Sequence, residues 1–397
     1  MTLRGKAAIV GYGETPVTRA RKERGEPRLS YWEYFSWATD EALRMAGMSN
    51  RDFDGQGLAV IHPEVAHPLF IGVEVAELLG ITPRWIVTPS HGGASALVAL
   101  AQASAAVASD LVERVLCVIG DAPMTYGDTM MLTEHRRDYE KPFGVMGPTS
   151  LFALVMRRHM EQYGTKVEHT GKIAVTQREH AVANPNAVFK ERITLDDYLK
   201  SKMVAEPIRL LDTVMRVNGG AAFIITKPEE AKRWTDRPVY LLGFSKCDNY
   251  YQGSRALPDV TFTGITQASR SALEMAQLQS IDMDFFQPYD DFTIAVLMQI
   301  EDAGFCEKGQ GGRFVEETDL SCRGSLPVNT GGGQISAGQA GLAGGMVNLV
   351  EATRQLRGEG GTRQVPDATA GMVTGIGAIQ YGRNVGFNSV AVLGREI

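Results

Sequence analysis

The chain has 397 residues, 44% of them hydrophobic and 22% charged, and its 40 Lys and Arg against 46 Asp and Glu leave a formal charge of −6. A mildly acidic chain without a block of basic residues is a poor general binder of nucleic acid, so we exclude that class. The start has no signal-peptide pattern, and the longest apolar run, residues 94–108, is polar-interrupted and too short for a bilayer, which predicts no membrane span.

Cysteine and histidine usage indicates the compartment and argues against a metal site. The four cysteines, Cys117, Cys247, Cys306 and Cys322, lie far apart in neither a disulfide nor a metal spacing. The seven histidines show no paired metal spacing either. We therefore predict a protein of the reducing cytoplasm that binds no metal ion.

Short β-branched runs alternate with longer amphipathic segments, which is typical of an α/β protein. In the first part of the chain, we predict strands at 7–11, 57–61, 84–87 and 114–119, and helices at 31–46, 73–79 and 94–108. The strand at 114–119 is almost entirely apolar, which predicts a strand covered on both faces.

Residues 126–215 differ from the rest, because they are rich in Arg, His and polar helix formers and are bounded by Pro and Gly. We predict an inserted, largely helical region over the sheet, which resumes with a strand at 221–225. The alternation then returns, with strands at 239–242, 285–289, 372–374 and 389–393, and helices at 265–276, 291–303 and 341–356, while residues 326–329 enter a glycine loop. The order of elements predicts two similar α/β halves, 1–235 with the insertion and 236–397.

Three strand-to-helix turns are candidates for the functional site, because ligands of α/β sheets collect at the carboxyl ends of strands. The first turn, residues 90–95, contains His91, Gly92 and Gly93. Glycines at a helix start let a ligand approach free backbone N–H groups. Taken alone, the pattern fits a tight turn that packs small residues at least as well.

The second and third turns carry the more distinctive side chains. Residues 287–293 place Tyr289 at a strand end, with Asp291 positioned to cap the next helix; a core tyrosine with a satisfied hydroxyl is the alternative. Residues 329–341 hold five glycines, which implies a tightly folded backbone with amide groups available to a ligand. No Gly-Lys-Ser/Thr follows, so this is not a phosphate loop.

These features together resemble the thiolase superfamily, in particular its sterol-carrier-protein-thiolase branch. The resemblance covers the whole chain and rests on residues 9–16, 178–187, 207–212, 218–222, 289–293 and 329–341. It implies two βαβαβαββ halves stacked in a five-layer α-β-α-β-α arrangement, normally dimeric, with a CoA thioester bound under the insertion.

The departures from the thiolase pattern bear on function. Thiolases carry a nucleophilic Cys in the first loop, a His in the second, a His in the third and a second Cys near the C-terminus. The matching positions here are Gly93, Tyr289, Gln339 and Val373. A thiolase needs a thiolate to carry the acyl group, and glycine has no atom for this role.

A site without the cysteine can still stabilise an acyl-CoA enolate and move protons, which is what retro-aldol cleavage requires. The sequence is similar to cysteine-lacking superfamily members that cleave side chains in steroid degradation. The resemblance implies an aldolase that cleaves a β-hydroxyacyl-CoA, of a steroid side chain, to a shorter acyl-CoA and a ketone or aldehyde. The CoA thioester is the substrate, and no cofactor is expected in this chain.

We expect Tyr289 to act as general acid/base at the β-hydroxyl, with a pKa lowered from about 10 by its surroundings. Asp290 or Asp291 is expected to orient it. Gln339 and the backbone amides around Gly93 would hold the thioester oxygen.

Further residues complete the expected site. Tyr381 is a spare candidate for the second proton, with packing as its alternative role. The residues expected to bind the substrate or its CoA moiety are His91, Gly93, Asn329, Gly332 and Gly338.

The resemblance also implies a homodimer and a small OB-fold partner chain, of a kind that can carry zinc, that together form a heterotetramer. Two other functions remain open from the sequence. One is an acetyl-CoA acyltransferase with a displaced nucleophile such as Ser90 or His91. The other is a non-catalytic subunit that only binds acyl-CoA.

Overall fold

The computed structural model describes residues 2–66, 68–127, 141–145, 147–248, 259–377 and 385–397. Its strands are β1 Ala8–Glu14, β2 Gly57–Val60, β3 Trp85–Val87, β4 Arg114–Asp121, β5 Met203–Ala205, β6 Ile208–Arg209, β7 Gly219–Thr226, β8 Val239–Asp248, β9 Phe285–Gln287, β10 Ala370–Gly377 and β11 Phe387–Gly394.

The helices follow the same chain order. They are α1 Tyr31–Ala46, α2 Ile71–Leu79, α3 Ser95–Ala108, α4 Pro123–Tyr126, α5 Gly147–Tyr163, α6 Val167–Val182, α7 Leu195–Lys200, α8 Pro228–Trp234, α9 Ile265–Ala276, α10 Thr293–Asp302, α11 Gly311–Glu317 and α12 Gly344–Leu356. A π-helical turn, Gly333–Ala337, lies in the glycine-rich loop before α12. Within the described ranges, no helix is both long and apolar enough to cross a membrane.

Nine strands form one sheet in the order β3-β2-β4-β7-β1-β8-β11-β10-β9. Its two halves meet where Ala8 and Ile9 of β1 pair with Tyr240 and Val239 of β8. Outward from this junction, β1-β7-β4-β2 and β8-β11-β10-β9 show the same pattern of two antiparallel pairings followed by a parallel one. The topology therefore confirms the two similar halves expected from the order of elements.

Three apolar cores separate the layers. The central core contains α3 and α12 between the two half-sheets. A second core joins α1 and α2 to the outer face of the first half-sheet, and a third joins α9 and α10 to the outer face of the second. The predicted five-layer α-β-α-β-α arrangement is therefore confirmed.

Local sequence explains where the best-predicted helix begins and ends. The Ser30 side chain accepts the backbone N–H of Glu33, and the Glu33 carboxylate accepts that of Ser30, so a capping box starts α1. Gly47 ends the helix with a left-handed φ of 65°. The observed bounds are those predicted.

The insertion is largely helical, as predicted, with α5, α6 and α7 and a small hairpin of β5 and β6. Helix α6 lies against the glycine-rich loop, where the Asn184 side chain donates to the Gly331 carbonyl. In residues 326–329, which lead into the glycine-rich loop, Val328 forms an isolated bridge to Phe286. The boundary at residue 235 stays a prediction and falls between α8 and β8.

Candidate active site

A cavity of about 350 Å³ lies where loops of both halves meet beneath the insertion. The first loop contributes Gly92 and Gly93, and residues 148–152 of the insertion form another wall. Other lining side chains are Glu64, Arg216, Tyr289, Asp291, Phe292 and Gln339. Two of the residues predicted to be catalytic, Tyr289 and Gln339, therefore share one cavity.

The main chain of Tyr289 is held from three sides. Its N–H donates to the Thr374 hydroxyl at 3.0 Å, and its carbonyl accepts from the Gln299 side-chain amide at 2.7 Å. The Asn348 amide donates to the preceding carbonyl, that of Pro288, at 2.6 Å. The two amides, Gln299 and Asn348, lie within largely apolar helices, and this contrast is the signal in the sequence that could have identified them. We did not identify them from the sequence. They fix the ring before any ligand arrives.

The Tyr289 ring occupies the space that a side chain at position 93 would need. A Cβ atom built on Gly93 would lie 2.1 Å from Cζ and 2.4 Å from the hydroxyl oxygen of Tyr289. The tyrosine is only 3% exposed. Glycine at 93 and tyrosine at 289 are thus complementary, and this geometry has no room for a cysteine side chain at the first loop.

Gln339 joins the tyrosine to a carboxylate. Its side-chain nitrogen donates to Asp291 Oδ1 at 2.5 Å and lies 3.5 Å from the Tyr289 hydroxyl. Its backbone is fixed by hydrogen bonds with Met215 and Val217. The expectation that Asp291 caps the following helix was wrong, because α10 begins at Thr293 without a side-chain cap and the Asp291 carboxylate faces the cavity instead.

Asp290 does not orient Tyr289, contrary to one of our expectations. Its carboxylate accepts the backbone N–H groups of Gln334 at 3.0 Å and Ile335 at 3.1 Å, and the Gln177 side-chain amide at 2.9 Å. It is fully buried and ties the second loop to the π-helical turn and to α6. Asp290 therefore has a structural role, because its hydrogen bonds hold these segments together.

Asp290→Asn is expected to lower the free energy of unfolding by about 1–3 kcal/mol, the usual cost of leaving a buried hydrogen-bonding group unsatisfied. An amide NH₂ in place of one carboxylate oxygen would face backbone N–H donors. Denaturant unfolding measures the change, and Asp40→Asn, on the exposed face of α1, is the control that loses the same charge. Equal stability of both variants would contradict the anchoring role.

An ion pair that the sequence reading missed lines the same cavity. Glu64 Oε1 is 2.6 Å from an Arg216 guanidinium nitrogen. The buried Asp121 carboxylate accepts the backbone N–H groups of Glu64 at 2.6 Å and Leu342 at 3.0 Å, which fixes both cavity-lining segments. These residues belong to no recognisable motif, so only the tertiary structure brings them together.

Burial sets the electrostatics of the cavity. Burial and the neighbouring Asp291 carboxylate hold the pKa of Tyr289 well above its ordinary value of 10, so the expectation of a lowered pKa was wrong. Burial, then the charges of Asp290 and Glu64, raise the pKa of Asp291 to about 7. The tyrosine is therefore a neutral phenol at physiological pH, beside a carboxyl group that titrates near neutrality.

The other residues expected to bind the substrate lie outside the cavity lining. The His91 ring packs edge-on against Phe387, and burial lowers the pKa of His91. The glycine-rich loop packs Gly332 against Ala181 and Gly338 against Val217.

Asn329 also lies outside the cavity lining. Asn329 is fully buried, and its carbonyl lies 3.1 Å from His180 Nδ1. Tyr381 lies outside the described residues.

All four cysteines are among the described residues, and none lines the cavity. Cys117 is buried inside β4, and burial raises its pKa. Burial also raises the pKa of Cys306 and of Cys322 to about 12, which leaves both as unreactive thiols. Across the described residues, no three His, Cys, Asp or Glu side chains are grouped so that they could hold a metal ion.

Sequence comparison relates the chain to known enzymes. Residues 249–395 match the thiolase C-terminal domain-like family. An acetyl-CoA acetyltransferase of Methanothermobacter thermautotrophicus is 34% identical over 366 residues, which cover 88% of this chain and 92% of that protein. The chain belongs to the thiolase superfamily, as the sequence motifs indicated.

Within this superfamily, two relatives are lyases. A 17-hydroxy-3-oxo-4-pregnene-20-carboxyl-CoA lyase of Mycobacterium tuberculosis is 31% identical to this chain. The matched residues cover 90% of this chain and 92% of that protein. A steroid side-chain-cleaving aldolase of Thermomonospora curvata is 30% identical, with coverage of 94% and 95%. The solved structure of an Ltp2-ChsH2(DUF35) aldolase superposes with a TM-score of 0.88 at 28% identity and covers 100% of this chain and 99% of that one.

Proposed function

We propose that the chain is a carbon–carbon lyase that cleaves a β-hydroxyacyl-CoA, of a steroid side chain, to a shorter acyl-CoA and a ketone or aldehyde. The observation that carries the proposal is the pairing of Gly93 with Tyr289, because the position of the thiolase nucleophile has no side chain and its space holds a phenol. The lyase and aldolase relatives support the same reaction.

In the proposed reaction, the Tyr289 oxygen takes the proton of the substrate β-hydroxyl while its own proton passes to a neighbouring acceptor. The Cα–Cβ bond then breaks, its electron pair forms the enolate of the thioester, and the β-carbon leaves as a carbonyl. Gln339 has a second side-chain N–H that can donate to the enolate oxygen, together with backbone amides near Gly93. Protonation at Cα releases the shorter acyl-CoA, and the reaction needs no cofactor or metal in this chain.

A panel of β-hydroxyacyl-CoAs, analysed by mass spectrometry of the CoA products, tests the proposal. We expect a shortened acyl-CoA and an equimolar ketone or aldehyde. Intact-protein mass measured during turnover distinguishes the competing acetyl transfer, because an acyl-enzyme adds the acyl mass. An acyl adduct, or a product set without a carbonyl fragment, would contradict the lyase reaction.

The proposal includes the assembly. We propose a homodimer that binds a DUF35-type OB-fold chain, of a kind that can carry zinc, in a heterotetramer, because the superposable aldolase structure is named as a complex with ChsH2(DUF35). Co-expression with such a chain, followed by light scattering on the purified complex, tests this composition. A monomer that cleaves substrate at the full rate alone would contradict it.

A further inference from the structure

A neutral phenol meets a difficulty as a base. The Tyr289 oxygen already carries a proton, and its buried surroundings oppose a phenolate. It can therefore accept the β-hydroxyl proton only while its own proton moves to another group. The acceptor must lie within reach of that hydroxyl.

Three carboxylates lie near the cavity, and two of them are committed elsewhere. Asp290 accepts three N–H groups from the π-helical turn and α6. Glu64 is paired with Arg216. Asp291 lines the cavity beside Tyr289, and its Oδ1 accepts a hydrogen bond from Gln339, whose side-chain nitrogen also lies 3.5 Å from the Tyr289 hydroxyl.

We propose that Asp291 receives the phenol proton of Tyr289 while the Tyr289 oxygen receives the proton of the substrate β-hydroxyl, so that the two residues form a proton relay. This inference rests on the proposed lyase function. Asp291 acts through Tyr289 and need not touch the substrate. Gln339 holds the carboxylate beside the phenol, since one of its N–H groups donates to Asp291 Oδ1.

The relay balances in protons and electrons. The β-hydroxyl proton moves to the Tyr289 oxygen as the Tyr289 proton moves to an Asp291 oxygen. The two original O–H bonds break and two new O–H bonds form in one step. The electron pair of the Cα–Cβ bond passes to the thioester enolate. In the second step, Tyr289 protonates Cα and recovers its proton from Asp291, which returns as a carboxylate. No phenolate forms at any stage.

The relay predicts a particular pH dependence. The groups that face Asp291 are Tyr289, the adjacent Asp290, and Glu64 with its partner Arg216. Burial and the two acidic neighbours raise the pKa of Asp291 to about 7, so it is protonated below that pH and cannot accept. The value of kcat/KM should therefore rise with pH through about 7 and level off above it. This rise is the acidic limb of the pH profile.

Asp291→Asn, an isosteric change, is expected to lower kcat by about 10²-fold or more and to abolish this acidic limb. The matched control is Asp302→Asn, since Asp302 is also a buried aspartate whose pKa burial raises, but it is paired with Lys308 outside the cavity lining. The control should keep the limb and the rate even if its melting temperature falls. A merely structural role for Asp291 would lower the rate and leave the limb in place.

Glu64→Gln gives a second test that retains Asp291. Removal of a neighbouring negative charge lowers the pKa of a carboxyl group, so the acidic limb should move to lower pH. Substrate cleavage over pH 5–9 measures the shift.

The possible outcomes distinguish failure of the proton relay from failure of the proposed lyase function. Cleavage by the wild-type protein, with the limb lost in Asp291→Asn and shifted in Glu64→Gln, supports both. Cleavage with an unaltered limb in both variants overturns the relay and leaves the lyase function intact. A wild-type complex that cleaves no β-hydroxyacyl-CoA overturns the function and the relay together.

Discussion

Tyr289→Phe is expected to reduce kcat for β-hydroxyacyl-CoA cleavage by about 10²- to 10⁴-fold, the range that a positioned acid–base group contributes. The substitution removes one oxygen and leaves the ring in place, because Thr374, Gln299 and Asn348 hold the main chain around position 289. The loss should fall on kcat with little change in acyl-CoA binding. Single-turnover cleavage and calorimetric binding of the product acyl-CoA measure the two effects separately.

Tyr34→Phe serves as the control for that experiment. Tyr34 is a second buried tyrosine, on α1 in an outer layer and not part of the cavity lining. Its phenylalanine variant should cleave substrate at the wild-type rate. Wild-type activity in Tyr289→Phe would remove Tyr289 from the reaction and would assign the proton transfer to another group.

Gly93→Cys is expected to abolish cleavage without creating a thiolase. A Cβ at this position would lie 2.1 Å from Tyr289 Cζ, far inside van der Waals contact, so either the ring or the loop must move. Overpacking of this kind typically costs about 1–3 kcal/mol of stability. Melting temperature, kcat and intact mass after incubation with acetyl-CoA measure the outcome, and a stable variant that forms an acyl-enzyme would contradict the steric argument.

A double-mutant cycle shows whether the clash involves Tyr289 itself. The three atoms nearest to a Cβ at position 93 all belong to that side chain. Gly93→Ala should therefore destabilise the wild-type chain but cost far less in a Tyr289→Ala background, a coupling of about 1–3 kcal/mol. Equal costs in the two backgrounds would place the strain elsewhere in the loop.

Much of the fold follows from local patterns. The bounds of α1 and α9 were predicted to the residue, because each helix has one continuous apolar face and, in α1, a capping box and a terminal glycine. The repeated strand and helix order predicted two halves. The extent of each strand was less predictable: β7 and β10 continue beyond their apolar runs because neighbouring strands supply hydrogen-bond partners.

Part of the site could also be predicted. Tyr289 and Gln339 share a cavity because the segments that precede their loops pair at the bridge between Phe286 and Val328. The distinct places of Asp290 and Asp291 could not be predicted, since adjacent residues in a loop differ in direction only through distant partners, here the N–H groups of Gln334 and Ile335. The same limit applies to Glu64 and Arg216.

The walls of the cavity come from positions as far apart in the chain as Glu64 and Val385. A ribosome releases residues in order, and an amino-terminal half folded early would hold only some of these walls. The Tyr289 phenol, its carboxylate neighbour and the first-loop glycines come together only once much of the second half has emerged. We therefore expect chains released before Val385 to lack part of the cavity wall and to cleave no substrate.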